Sequence, residues 1–241
     1  MSDYYIASCL FTAQFPETSL MIQEYIKAKP GIQLVRCCIP NYRTEQNTER
    51  ISDSAAQSAW KQLPQSAVFQ PDDTVISVCH NCTNIAEEWR KARAVSLWEV
   101  IDRDSSFPFP DYSGLNVTVQ DCWRTRERKS EQEAVRSLLK KMRITYVEAE
   151  KNHGETDFCG STLFREQPAK NSALAPKHYV EQAKGKFKPH TQEEQISLMK
   201  EYCGRLPTKT IVCYCHYCLE GLLQGGADGR HIAHLLFPAR K

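Results

Sequence analysis

The chain has 241 residues, 41% hydrophobic and 25% charged, and its 31 basic and 29 acidic side chains leave a net charge of +2. That composition can bury one large core or two smaller ones and argues against disorder. The near-neutral balance supplies no field that would draw nucleic acid or an anionic membrane surface. The opening MSDYYIASCLFTAQF has no basic stretch ahead of an apolar run and no small-residue cleavage site. No apolar run is long enough to span a bilayer, so a soluble, cytoplasmic protein without a transmembrane segment is expected. In that compartment clustered cysteines bind metal more often than they form disulfides.

In chain order, YYIASC predicts a buried strand ending at Cys9, residues 18–27 a helix, and IQLVRCC a strand ending at Cys37 and Cys38. A helix over 54–62, the strand TVISVC ending at Cys79, a helix over 83–92 and an apolar segment VSLWEVI at 95–101 complete a first half. The Pro- and Ser-rich SSFPFPDYSG at 105–114 marks a boundary, giving halves 1–108 and 109–241. The second half repeats the order: LNVTVQDC ending at Cys122, a helix over 131–142, ITYVEAE leading toward Cys159, a helix over 191–202, TIVCYC ending at Cys215, and a closing HIAHLLF at 231–237. Strands alternating with helices predict an α/β fold of two pseudo-symmetric, cysteine-rich halves, each a small parallel sheet flanked by helices.

Ten of the eleven cysteines fall into two parallel series. The first is Cys9, Cys37 and Cys38, then Cys79 and Cys82 in CHNC. The second is Cys122, Cys159, then Cys215 and Cys218 in CHYC, with Cys213 just ahead. Thiolates drawn from separate segments are what an iron–sulfur cluster or a zinc ion requires. Both series map to the carboxyl edge of the predicted sheets, where open α/β folds place ligands. Each Cys-x-x-Cys leads into a helix (TNIAEEW, LEGLL) whose amino-terminal dipole favours negative charge on metal-bound sulfur. Cys203 stands apart as a small buried hydrophobe.

The series Cys9, Cys37-Cys38 and Cys79-x-x-Cys82, followed by QDCWRTR, DFCG and CYCHYCLEGLL, resembles the duplicated cysteine-rich CCG domain in the disulfide-cleaving subunit of heterodisulfide reductase, over nearly the whole chain. The same domain occurs in succinate:quinone reductase, glycolate oxidase and lactate-utilisation iron–sulfur subunits. The resemblance implies a noncubane [4Fe-4S] cluster held by each five-cysteine set and reductive cleavage of a disulfide or related thiol substrate. Several departures from the family pattern stand out. Ile39 follows the first Cys pair where the family has Gly. The second pair is reduced to Phe158-Cys159-Gly160, leaving four thiols that suit a cubane [4Fe-4S] cluster or a tetrahedral zinc. Cys213 is a candidate fifth ligand, since positions 213 and 215 of one strand share a face. Trp123 replaces the family's His in QDCWRTR, while Arg126 keeps its Arg. Finally, an insertion between Cys159 and Thr191, carrying Lys177, Lys184, Lys186 and Lys188, has no counterpart in the first half and reads as a lid or a docking surface.

Disulfide cleavage needs two electrons, whereas a cluster ordinarily passes one at a time, so two sites in one chain meet the need. Substrate chemistry is expected at the first site, with Cys38 as its reactive ligand, and electron relay or a structural role at the second. His80 and His216, each following the first Cys of a Cys-x-x-Cys, are placed to hydrogen-bond sulfur or give a proton to a departing thiolate, with a helix-capping or solvent-facing role as the other reading. Arg124 and Arg126 are either anchors for a substrate carboxylate or phosphonate or surface charges. His153, His231 and His234 carry little chemical signal, and His234 is expected to pack. With no GxGxxG fingerprint, electrons must come from another iron–sulfur or flavin protein. Two other classes stay open: an electron-transfer subunit for a flavoprotein dehydrogenase of the lactate or glycolate type, and a zinc-bound scaffold.

Overall fold

The computed structural model describes residues 2–40, 42 and 44–239. Runs such as YYI, VIS and VTV hold apolar and small side chains at successive positions without alternation, the pattern of strands covered on both faces. They form the middle of two sheets. In the first, β1 (Asp3–Ile6) and β3 (Thr74–Ser77) are central and β2 (Ile32–Val35) and β4 (Arg93–Ser96) are the edges, in the order β2-β1-β3-β4. In the second, β5 (Asn116–Gln120) and β7 (Thr210–Cys213) are central and β6 (Thr145–Glu148) and β8 (Asp228–His231) are the edges, in the order β6-β5-β7-β8. Every pairing is parallel, and helices fill the connections. The expected α/β class and the two matching halves are therefore found. The chain separates into two compact units, Met1–Leu97 with Phe237–Lys241, and Trp98–Leu236. Each sheet lies wholly within one of them.

The register explains where the cysteines go. Ile6 lies level with Val35 and with Ser77, so β1, β2 and β3 end together, and Cys9, Cys37 and Cys79 follow within three residues. In the second sheet Gln120 is level with Cys213, and Cys122 and Cys215 each lie two residues further on. β1 connects to β2 on one side while β3 connects to β4 on the other, and β5 and β7 repeat this. The point between such strands, where the connections part, is where open parallel sheets leave a crevice above their carboxyl ends.

Several boundaries differ from the sequence expectation. The helix expected over 83–92 is His80–Arg90, and its counterpart is His216–Gln224. Each takes the first cysteine of its Cys-x-x-Cys as the extended residue capping its amino terminus and the second in its first turn. VSLWEVI and HIAHLLF are each split between an edge strand and a helix, Leu97–Arg103 and Ile232–Leu236. β8, with the sequence DGRH, carries no hydrophobic signal because one side of an edge strand needs no apolar cover.

The insertion folds as a 3-10 turn (Gly160–Phe164), a short helix (Ala169–Leu174) and one wide helical turn (Lys177–Glu181). It runs into the helix Gln192–Gly204, which opens with a capping box: the Thr191 hydroxyl accepts from the Glu194 amide and the Glu194 carboxylate accepts from the Thr191 amide. Among the described residues no helix is long and apolar enough to cross a membrane. Thr191→Ala is expected to lower stability by about 1 kcal/mol, read as a lower urea midpoint, with Thr191→Ser retaining the parent value.

Candidate metal centre

In the second unit Cys122 and Cys215 are the extended residues that begin, respectively, a 3-10 turn (Trp123–Thr125) and the helix His216–Gln224. Cys159 likewise begins the turn Gly160–Phe164, and Cys218 occupies the first turn of the helix. Their four sulfurs all lie within 4.8 Å of one another, and all four residues are buried. Cys122 donates to Cys159 at 3.5 Å. The close approach depends on two glycines. A methyl group on Gly160, which sits at φ 55°, would come 2.2 Å from the Tyr217 carbonyl oxygen, and one on Gly221 would come 2.2 Å from the Gly160 Cα. Only bare backbone on both sides lets the Cys159 turn rest on the helix that carries Cys218.

The charge at this group is set by Arg124. Its guanidinium is buried, donates to the Cys159 sulfur and, at 3.3 Å, to the Tyr179 hydroxyl, and lies over the rings of Trp123 and Tyr217. Burial works against its charge, but the sulfurs of Cys159, Cys122 and Cys215 hold its pKa well above the ordinary value. Burial likewise opposes ionisation of Cys159, yet the neighbouring thiols of Cys122, Cys215 and Cys218, together with Arg124, keep that thiol well below its usual range. Burial and the neighbouring sulfurs push Cys215 and Cys218 up. The insertion roofs this arrangement. Trp123 meets the rings of His178, Tyr179 and Phe187, and Gln182 and Lys177 reach Glu127 at 2.7 and 3.6 Å.

Beneath the sulfurs lies a polar web for which the sequence gives only a weak signal, the charged residue beside Cys122 and the Tyr between Cys213 and Cys215. The Asp121 carboxylate is fully buried and accepts from both terminal nitrogens of Arg136 at 2.7 and 2.8 Å, from the Tyr214 hydroxyl at 2.6 Å and from the His153 amide at 2.9 Å. Arg136 continues to Glu148, and Asn152 ties the Asp121 amide to the Val119 carbonyl. Thr125 bridges Tyr214 to the Cys122 carbonyl. The web thus fastens the backbone on either side of Cys122 to that beside Cys215. Asp121, Glu148 and His153 also converge as a group of metal-ligand type, but Arg136 already occupies both carboxylates.

The first unit brings its five cysteines together more loosely. Cys9 interacts with Cys37, and Cys82 with both Cys79 and Cys38. Among the described residues, only the second set forms a group of sulfurs all within 4.8 Å. The neighbouring Cys9 holds the Cys37 thiol below its ordinary value, whereas Cys79 is pushed up first by Cys82 and then by burial. Cys79 and Cys82 sit in an apolar cluster with Ile6, Val35, Phe69 and Val75, against which Cys38 packs. Cys9 and Cys38 are the two members that keep partial exposure. Ser8, at φ 53°, turns the chain sharply into the helix Cys9–Gln14, a backbone state rare outside glycine.

Other expected residues fall differently. Cys213 is buried but lies outside the four-sulfur group, its sulfur directed to the Cys215 carbonyl at 3.7 Å. β7 ends at Cys213 and Cys215 already begins the helix, so the two do not share a strand face. Arg126 turns to the Thr156 carbonyl at 2.5 Å and to Asp157 at 2.6 Å, and its neighbour Arg124 is the one on sulfur. His80 and His216 are buried at the first helical position after Cys79 and Cys215. Cys203 is half-buried and directed to the Leu222 carbonyl. His231 is buried against Trp98, and burial holds the pKa of His234 down, as packing predicts.

No family model and no curated protein matches the chain. Among solved structures, a glutamate racemase from Bacillus anthracis aligns with 98% of this chain and 78% of its own at 11% identity, with a TM-score of 0.33, too low to carry an argument. The metal-binding reading therefore rests on the donor set itself: four buried cysteine sulfurs within 4.8 Å of one another, drawn from three separate segments.

Two variants test the arrangement. Gly160→Ala is expected to part the Cys159 turn from its helix and lose the metal of the second set while the first set keeps its own, as read by metal content per chain. Arg136→Met, which strands the Asp121 carboxylate, is expected to cost about 3–5 kcal/mol in denaturant unfolding, with part of the loss recovered when Asp121→Asn is added.

Proposed function

We propose that the chain is an iron–sulfur oxidoreductase resembling the disulfide-cleaving subunit of heterodisulfide reductase, in which Cys9, Cys37, Cys38, Cys79 and Cys82 hold a noncubane [4Fe-4S] cluster and a disulfide or related thiol is the substrate. The observation that carries this reading is the repeated placement of cysteines at the carboxyl edge of two matching parallel sheets, five thiols in the first unit and four in the second. The donors fit the group: all are thiols, they come from three segments, and the first set offers five of them, one more than a single tetrahedral ion takes. When bound, such a cluster supplies electrons for breaking a sulfur–sulfur bond, a two-electron, two-proton reduction that yields two thiols.

The chain's own residues supply the setting. The apolar cluster around Cys79 and Cys82 keeps water from one side of the first set. The partial exposure of Cys38 and Cys9 leaves the other side approachable by a substrate. The amino terminus of the helix His80–Arg90 directs its dipole at the same sulfurs. Electrons would arrive from an iron–sulfur or flavin protein, since the sequence has no dinucleotide fingerprint.

At the second set a different ion is favoured by one distance. Tetrahedral zinc, with Zn–S near 2.3 Å, sets its sulfurs roughly 3.8 Å apart, and the four sulfurs here lie within 4.8 Å of one another. A cluster of four irons would need them spread wider. Zinc in a structural role at Cys122, Cys159, Cys215 and Cys218 is thus the second reading for that site alone.

The test is disulfide cleavage driven by a chemically reduced viologen, using anaerobically prepared protein. Cys38→Ser is expected to abolish turnover with the second set still loaded, and Cys218→Ser to act on stability or electron delivery. A Cys38→Ser protein as active as the parent, or equal mild losses from both changes, would refute the assignment.

A further inference from the structure

Beside the second cysteine set, the insertion borders an open cleft of about 520 Å³ that reaches Cys159 itself, within the size range of small-molecule sites. Its composition is divided. Phe158, Leu163, Phe164 and Met199 give it an apolar wall, while Lys151, Lys184, Lys186, Lys188 and Arg205 line it with positive charge against only Asp157 and Glu201. Lys186 is paired with Asp157, and Arg205 faces Glu201 at 3.5 Å. Among the described residues Lys151, Lys184 and Lys188 have no carboxylate within ion-pairing distance, so the cleft keeps an excess of cations.

The lysine segment is held in place rather than merely solvated. The Lys188 amide donates to the Leu163 carbonyl at 2.7 Å, the His190 amide to the Phe164 carbonyl at 3.0 Å, and the Lys186 amide to the Ala183 carbonyl at 2.9 Å. Gly185, at φ 73°, makes the turn between Lys184 and Lys186. On the opposite side, Phe158 stacks on Tyr202 with ring centroids 4.4 Å apart. The lysine segment and the stacked Phe158–Tyr202 pair, each fixed by its own contacts, thus line one space that is both apolar and cationic.

We propose that this cleft binds a small amphiphilic organic anion, with a phosphate, phosphonate or carboxylate head on the lysines and an apolar body directed along Phe164 and Leu163 toward Cys159. The site is made by residues of the insertion, of the helix Gln192–Gly204 with Arg205 at its end, and of the segment ahead of Cys159 that carries Lys151, Asp157 and Phe158. The inference is independent of which metal the cysteines hold and of the disulfide chemistry proposed above.

The test is isothermal titration of metal-loaded, full-length protein with hexyl phosphate, alongside inorganic phosphate and hexanol. Hexyl phosphate is expected to bind saturably at one site per chain, more tightly than either control, and to weaken as salt is raised. The double variant Lys184→Ala/Lys188→Ala, both exposed and outside any core, should weaken binding by about tenfold or more, whereas Lys27→Ala in the other unit should leave it unchanged. Absence of saturable binding to the parent protein would overturn the proposal. So would undiminished binding by the double variant, or inorganic phosphate binding as tightly as hexyl phosphate.

Discussion

Parallel strands that end level with one another are the constraint on which everything else in this protein depends. Because Ile6, Val35 and Ser77 share one register, and Gln120 and Cys213 another, any cysteine placed a few residues past those positions must arrive at the same edge of its sheet. Segments tens of residues apart then deliver sulfur to one place without long-range design of each contact. What remains is local: an extended residue at a helix start, a second cysteine one turn on, and, in the second unit, glycines that let two backbones touch.

The two halves use this plan with different tightness. In the second unit the sulfurs are buried and close, an Arg lies against one of them, and the insertion covers the rest. Four mutually close thiols in a buried setting resist ionising together, and one guanidinium balances one of them; a bound cation would resolve the conflict for the others. In the first unit the sulfurs meet in pairs, two members keep some exposure, and the Cys37-Cys38 pair adds a fifth thiol. A covered site and an approachable one are physically suited to different work, which is the division of labour proposed above.

The central strands and their terminal cysteines were legible in the sequence because buried parallel strands are written as uninterrupted apolar runs, and because two series in one order are hard to produce by accident. Among the edge strands IQLV was legible too, whereas DGRH has no hydrophobic pattern, since half of its surroundings need none. Cys213 lies outside the four-sulfur group: period-two reasoning assumes that the strand continues, whereas β7 stops there. The choice between Arg124 and Arg126 could not be made from spacing, because the 3-10 turn after Cys122 rotates the first inward and the second toward Asp157. Asp121, Arg136 and Tyr214 were invisible as a group because their meeting is a matter of sheet register, which the linear sequence does not spell out.

Both cysteine sets are proposed to bind metal. Iron and zinc content per chain, measured with Mössbauer spectroscopy on protein prepared without oxygen, tests this most directly. The account predicts a multi-iron group with an atypical, noncubane signature that is lost when Cys9, Cys37, Cys38, Cys79 and Cys82 are changed to Ser. It further predicts one zinc ion or one further iron group that is lost with Cys122, Cys159, Cys215 and Cys218. A stably folded chain that retains neither iron nor zinc under those conditions would contradict it.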